Sequence, residues 1–119
     1  FIGTPKMNIL EINEQDVISD NSIKLLGNET VFDSLKLKKS KHFVGIRPEH
    51  LKANQKTQFT FNPEIELIEN LGNEKIAYMK KDDYQLSAKI PSNVEISNSI
   101  GFDLKDIFIF DESGKRLKS

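Results

Sequence analysis

Tyr84-Gln85-Leu86-Ser87-Ala88-Lys89-Ile90 is the stretch whose reading decides the fold. Tyr84, Leu86, Ala88 and Ile90 alternate with Gln85, Ser87 and Lys89. Side chains in a strand point to opposite faces in turn, so this pattern gives one buried face and one wet face. Ile100, Phe102 and Leu104 repeat the pattern, as do Phe59, Phe61, Ile65 and Leu67 around an interruption at Pro63. Pro63 cannot donate to a ladder, so it is expected to open a new strand over 64–69. Ile107 to Phe110 is an unbroken apolar run, short enough for a strand buried on both sides.

Between these runs lie turn-formers: Asp20-Asn21, Gly27-Asn28, Gly72-Asn73, Asp82-Asp83, Pro91-Ser92-Asn93 and Ser113-Gly114. No segment sustains an i, i+3, i+4 apolar pattern. The best helical candidate is a single turn at Pro48–Leu51, where Pro fits the first turn and Glu49 favours the N-terminal end. The expectation is an all-β fold, an OB-fold-like small barrel, formed by residues 1–119 as one domain.

Composition removes several classes of function. The chain has 119 residues, 37% hydrophobic and 29% charged, which suits a globular domain with its own core. Its net charge of −1 gives no general electrostatic basis for binding nucleic acid. Lys36, Lys38, Lys39 and Lys41 form the one basic cluster, read as a solvated loop. Cysteine is absent, which excludes disulfides and thiolate metal sites. No apolar run approaches the roughly 20 residues of a membrane helix.

A catalytic constellation is missing from the sequence. His42 and His50 are the only histidines, no Ser sits in a G-x-S-x-G elbow, and the carboxylates fall on wet faces or in turns. Asp111-x-Ser113-Gly114 is too short for a calcium loop and reads as a hairpin turn. Gly3-Thr4-Pro5-Lys6 lacks the first glycine and the Lys-Ser/Thr pair of a phosphate loop, so the chain is expected neither to bind nor to hydrolyse ATP.

Four peptides point to a family. They are Phe1-Ile2-Gly3-Thr4-Pro5-Lys6-Met7-Asn8, Gly45-Ile46-Arg47-Pro48-Glu49-His50-Leu51, Leu67-Ile68-Glu69-Asn70-Leu71-Gly72-Asn73-Glu74 and the closing Phe110-Asp111-x-x-Gly114-x-Arg116-Leu117. In this order they resemble the C-terminal regulatory domain, the transport-associated OB (TOBE) domain, of ATP-binding subunits from ABC-type carbohydrate importers. The wording is that of the maltose and glycerol-phosphate branch. Residues 11–43 and 80–99 match only in strand-like texture. Ile96-Ser97-Asn98-Ser99 stands where the family often has a Gly-Asp turn.

The resemblance implies a non-catalytic regulatory and dimerisation domain, with ATP and Mg held by a nucleotide-binding domain that precedes it. The implied partners are a second copy of the subunit, the transporter's membrane subunits through that other domain, and a regulatory protein. The implied location is the cytoplasmic face of the membrane, held there by the complex. Arg47 and Glu49 are the leading interface residues, because the Arg fork suits a carboxylate across a two-fold contact. Gly72 and Asn73 make a tight turn beside Glu74, and Phe1, Pro5, Met7 and Asn8 form the lead-in segment. The competing reading is a free-standing binder of an oxyanion or sugar, which needs basic and hydroxyl groups around a pocket. In the sequence only Thr4-Pro5-Lys6 offers such a grouping.

Overall fold

The computed structural model describes residues 5–118; the expected contact residue Phe1, with Thr4, lies outside them. The described chain is all-β, as the alternation predicts. Its helical residues are confined to three single 3-10 turns, one of them Pro48–His50, where the single helical turn is expected. The ladders form four three-stranded sheets and do not close into one barrel, an openness that OB-like folds allow.

The described residues divide into two compact units. The first holds Ile46–Asp106 with the described part of Phe1–Asn8. Its larger sheet joins β8 (Glu64–Asn70), β9 (Glu74–Lys81) and β10 (Tyr84–Pro91) in the order β10-β9-β8, antiparallel throughout. Leu86 opposes Met79 and Ala88 opposes Ala77, so the four buried residues form one apolar block. Its smaller sheet places β11 (Ile100–Phe102) between β6 (Lys52–Ala53) and β7 (Phe59–Phe61). Phe102 is fully buried there, with its ring 5.3 Å from Phe59 and 6.1 Å from Phe61.

Pro63 lies at the break between β7 and β8, as its missing N–H requires. The alternation expected through β8 fails in one respect. A register shift between Ile65 and Leu67 sets Ile65 opposite Met79 but Leu67 opposite Tyr78. One extra residue inverts the pattern that follows it. Leu67 is therefore 60% exposed instead of lying on the core face.

Gly101, in the middle of β11, admits no side chain. A Cβ there would collide with the Thr57 side chain, whose hydroxyl donates to the Phe59 carbonyl at 2.8 Å. Gly101→Ala is expected to destabilise the protein by about 1–3 kcal/mol, the usual penalty for overpacking. Urea denaturation measures it, and unchanged stability would mean that the Thr57 loop moves aside freely.

The second unit holds Ile9–Gly45 and Ile107–Ser119, described to residue 118. It contains the meander β2 (Val17–Ser19), β3 (Ser22–Leu25) and β4 (Asn28–Val31). Leu26 and Gly27 close the β3–β4 hairpin at φ 49° and 83°, the two positive angles of a type I′ turn. The remaining sheet has the order β1 (Asn8–Ile12), β5 (His42–Ile46), β12 (Ile107–Phe110), with Asn8 and Ile46 assigned to the first unit. Burial on both sides was expected of β12, yet only Ile109 is buried. β12 is an edge strand, and the Arg116 guanidinium lies 4.6 Å over the Phe108 ring.

The Asp111–Lys115 turn that follows is organised by one carboxylate. Asp111 Oδ1 accepts from the Ser113 hydroxyl at 2.6 Å, the Lys115 N–H at 2.9 Å and the Ser113 N–H at 3.0 Å. The Ser113 hydroxyl, and after it the Lys115 amide, hold this carboxyl below its ordinary pKa. A carboxyl with a lowered folded value stabilises the fold above its unfolded value and loses that contribution as pH falls through the folded one. Asp111→Asn keeps the acceptor and removes the titration, so its stability is expected to fall less steeply than the parent's on acidification. Thermal melts taken down to about pH 2 test this against the ordinary carboxylate range, and parallel curves would show that Asp111 is not the titrating group.

Candidate functional site

Pro48 begins the 3-10 turn and is buried, with the His50 N–H bonded to the Arg47 carbonyl at 2.9 Å. Leu51, at the turn's end, is 1% exposed. These apolar anchors hold the turn down while Arg47 and Glu49, on either side of Pro48, are exposed. Fixed φ at proline and a buried leucine thus display an Arg and a Glu on a rigid bend.

The loop between β8 and β9 is built the same way. Gly72 has φ +97° with open space where a Cβ would stand, so backbone angle rather than crowding calls for glycine. The Asn70 side chain accepts the Gly72 N–H at 3.0 Å, and the Asn73 carbonyl accepts the Ser92 N–H at 3.0 Å. Glu74 follows, with its carboxylate 3.4 Å from the Lys89 ammonium. An exposed pair of this kind contributes no more than about 1 kcal/mol, so it orients the groups more than it stabilises the fold.

Glu49 and Glu74 meet at one cleft of about 210 Å³ on the first unit. Leu51 and Ile90 line it with them, and Lys52 and Lys89 balance their charge. Arg47, Gly72 and Asn73 are exposed and lie off its lining. Pro5 and Met7 are half-buried. Asn8 is only 6% exposed and its carboxamide is fully engaged. Its NH₂ group donates to the Ile46 carbonyl at 3.0 Å and the Ser87 carbonyl at 2.9 Å, and its oxygen accepts the Ser87 N–H at 2.8 Å. The position holds the lead-in strand to β10.

Lys52 and Lys89 escaped the sequence reading. Lys89 fell on the wet face of β10 and Lys52 stood outside any motif. The cross-strand diagonal sets Lys89 beside Glu74, and Lys52 joins them only as part of the same cleft lining. The histidines form no acid–base pair. His50 Nε2 stands 3.9 Å from Asp106 Oδ1, beyond hydrogen-bond range, and buried His42 bonds through Nδ1 to the Ser40 carbonyl at 2.9 Å. Among the described residues, no group of three or more His, Asp or Glu is placed to hold a metal ion. Nor, among these residues, is any helix long and apolar enough to cross a membrane. The basic cluster is partly committed, since Lys39 donates to the Val17 carbonyl at 2.8 Å and Lys41 pairs with Glu11 at 2.8 Å. Glu11 raises the Lys41 pKa, first through that hydrogen bond and then through its charge.

The cleft thus sets two carboxylates against two ammonium groups beside the displayed Arg47. No protein-family model matches the chain. It is, however, similar over nearly its whole length to one region of import ATP-binding proteins. One such relative is the sn-glycerol-3-phosphate import ATP-binding protein UgpC of Psychromonas ingrahamii, 31% identical across 93% of this chain and 32% of that protein. Another is the maltose/maltodextrin import ATP-binding protein MalK of Vibrio vulnificus, 27% identical across 99% of this chain and 35% of that protein. The Vibrio cholerae MalK is 28% identical across 97% of this chain and 34% of its own length. The chain therefore spans about a third of the length of these curated relatives.

Proposed function

We propose that this chain is the regulatory and dimerisation domain, of the TOBE type, in the ATP-binding subunit of an ABC-type sugar or glycerol-phosphate importer. The observation that carries the reading is similarity along almost the entire chain to about a third of import ATP-binding proteins. In this reading the chain contributes no catalytic group, and ATP and Mg belong to the rest of the subunit. Its partners are a second copy of itself, the membrane subunits through the nucleotide-binding domain, and a regulatory protein. The complex holds it at the cytoplasmic face of the membrane.

The surface of the first unit supports a contact role. β8 is an edge strand, and Leu67, Ile68 and Leu71 along it and its loop are 60%, 47% and 40% exposed. Leu67 and Ile68 are successive strand residues, so each leaves apolar surface in water on its own face of this edge strand. Arg47 and Glu49 add a polar pair suited to a two-fold contact.

Two measurements test the proposal. The coding sequence upstream of Phe1 is expected to contain a G-x-x-x-x-G-K-[ST] phosphate loop. Its absence would overturn the importer reading. The chain is expected to self-associate in analytical ultracentrifugation, and Leu67→Asp or Arg47→Ala to weaken that association. A chain that is monomeric at all concentrations, or variants that associate unchanged, would remove dimerisation or the residue concerned.

A further inference from the structure

The small sheet of the first unit carries a second cleft, of about 420 Å³. Its floor is one row across three strands. Gly101 on β11 is directly opposite Lys52 on β6 and directly opposite Thr60 on β7. Residues in one cross-strand row share a face of the sheet. The central member of this row has no side chain, and the Thr57 side chain packs against its backbone in the space a Cβ would take.

The rim is polar and carries positive charge. Asn54, Gln55 and Lys56 come from the loop after β6, and Ser97 and Ser99 from the segment before β11. Asn54 has φ 56°, a left-handed angle that Asn tolerates better than most residues. Lys52 is positioned by Asp103, whose Oδ2 lies 3.9 Å away and whose Oδ1 accepts the Gln58 N–H at 2.9 Å. The lining has two lysines, and among the described residues no carboxylate.

We propose that this cleft binds the phosphate ester of a small polyol or sugar. A phosphate monoester carries about −1.5 to −2 charges at neutral pH, which calls for the Lys56 ammonium beside Lys52, whose own charge is shared with Asp103. The cleft falls within the roughly 300–1,000 Å³ range of small-molecule sites, so a bare tetrahedral anion would leave much of it empty. The amides of Asn54 and Gln55 and the serine hydroxyls both donate and accept, as polyol hydroxyls require. The sequence separates these groups by more than 40 positions, and only the β6-β11-β7 pairing joins them. The proposal stands apart from the importer reading and survives its failure.

Titration of the ¹⁵N-labelled chain with glucose 6-phosphate tests it, with inorganic phosphate and glucose as the two separate halves. Saturable shifts are expected at residues 54–56, 97 and 99, with the ester binding more tightly than either half. Lys56, exposed and outside every strand, can be changed without harm to the fold. Lys56→Ala is expected to weaken the ester about tenfold, the loss of one charge-assisted hydrogen bond. The proposal is overturned by the absence of a saturable shift at about 10 mM, an affinity that even an open, exposed cleft should reach. It is equally overturned if phosphate alone binds as tightly as the ester, if the shifts spread to remote lysines such as Lys24 and Lys118, or if Lys56→Ala binds like the parent.

Discussion

Phe102→Ala is expected to lower the stability of the protein by about 4 kcal/mol, within the range for emptying a buried aromatic site. Phe102 has no exposed surface. Its ring stacks on Phe59 and tilts against Phe61, and such aromatic pairs add about 0.5–1.5 kcal/mol each beyond area burial. The sheet around it is three strands of two or three residues, so few other contacts hold it together. Phe108→Ala is the control, because Phe108 is half-buried on an edge strand beneath Arg116. Its loss is expected to stay near about 1 kcal/mol, the scale of a half-exposed site with a cation–π contact. Equilibrium denaturation of the two variants decides the matter. Equal losses would mean that the aromatic cluster does not organise this core.

Asn8→Ala is expected to destabilise by about 3 kcal/mol, from three hydrogen bonds broken at about 1 kcal/mol each. The Ile46 carbonyl and both backbone groups of Ser87 lose their partner together. Asn8→Asp is expected to be at least as harmful. It keeps an acceptor for the Ser87 N–H but turns a carboxylate toward two carbonyl oxygens. In the proposed importer reading Asn8 belongs to a lead-in segment with a contact role, and this pair of variants separates the two roles. A change in stability below about 0.5 kcal/mol, the ordinary range for surface substitutions, together with weakened self-association, would assign Asn8 to the contact surface.

The elements were legible in the sequence wherever one face is wet and the other dry. The alternation from Tyr84 to Ile90 became β10 with Leu86, Ala88 and Ile90 buried. The turn-formers at Gly72 and Gly114 took positive φ, and Pro48 opened the single helical turn. The misreadings share a cause. Leu67 was assigned to the core because a period of two was carried across a bulge, and a bulge leaves no mark in composition. Ile107 to Phe110 was assigned burial on both sides because apolar runs do not record whether a strand is central or at an edge.

The sites divide along the same line. Arg47 and Glu49 could be read as displayed, because a proline between two charged residues bends the chain wherever it stands. The pairing of Glu49 with Glu74 around one cleft could not be read, nor the row of Lys52, Gly101 and Thr60. By itself the sequence determined an all-β chain and its turns, since these depend on neighbours within a few positions. The tertiary structure alone decided which polar side chains share a cleft and that Asn8 is buried. Those outcomes depend on strand order and register, which are set by long-range packing of the cores and leave no local trace.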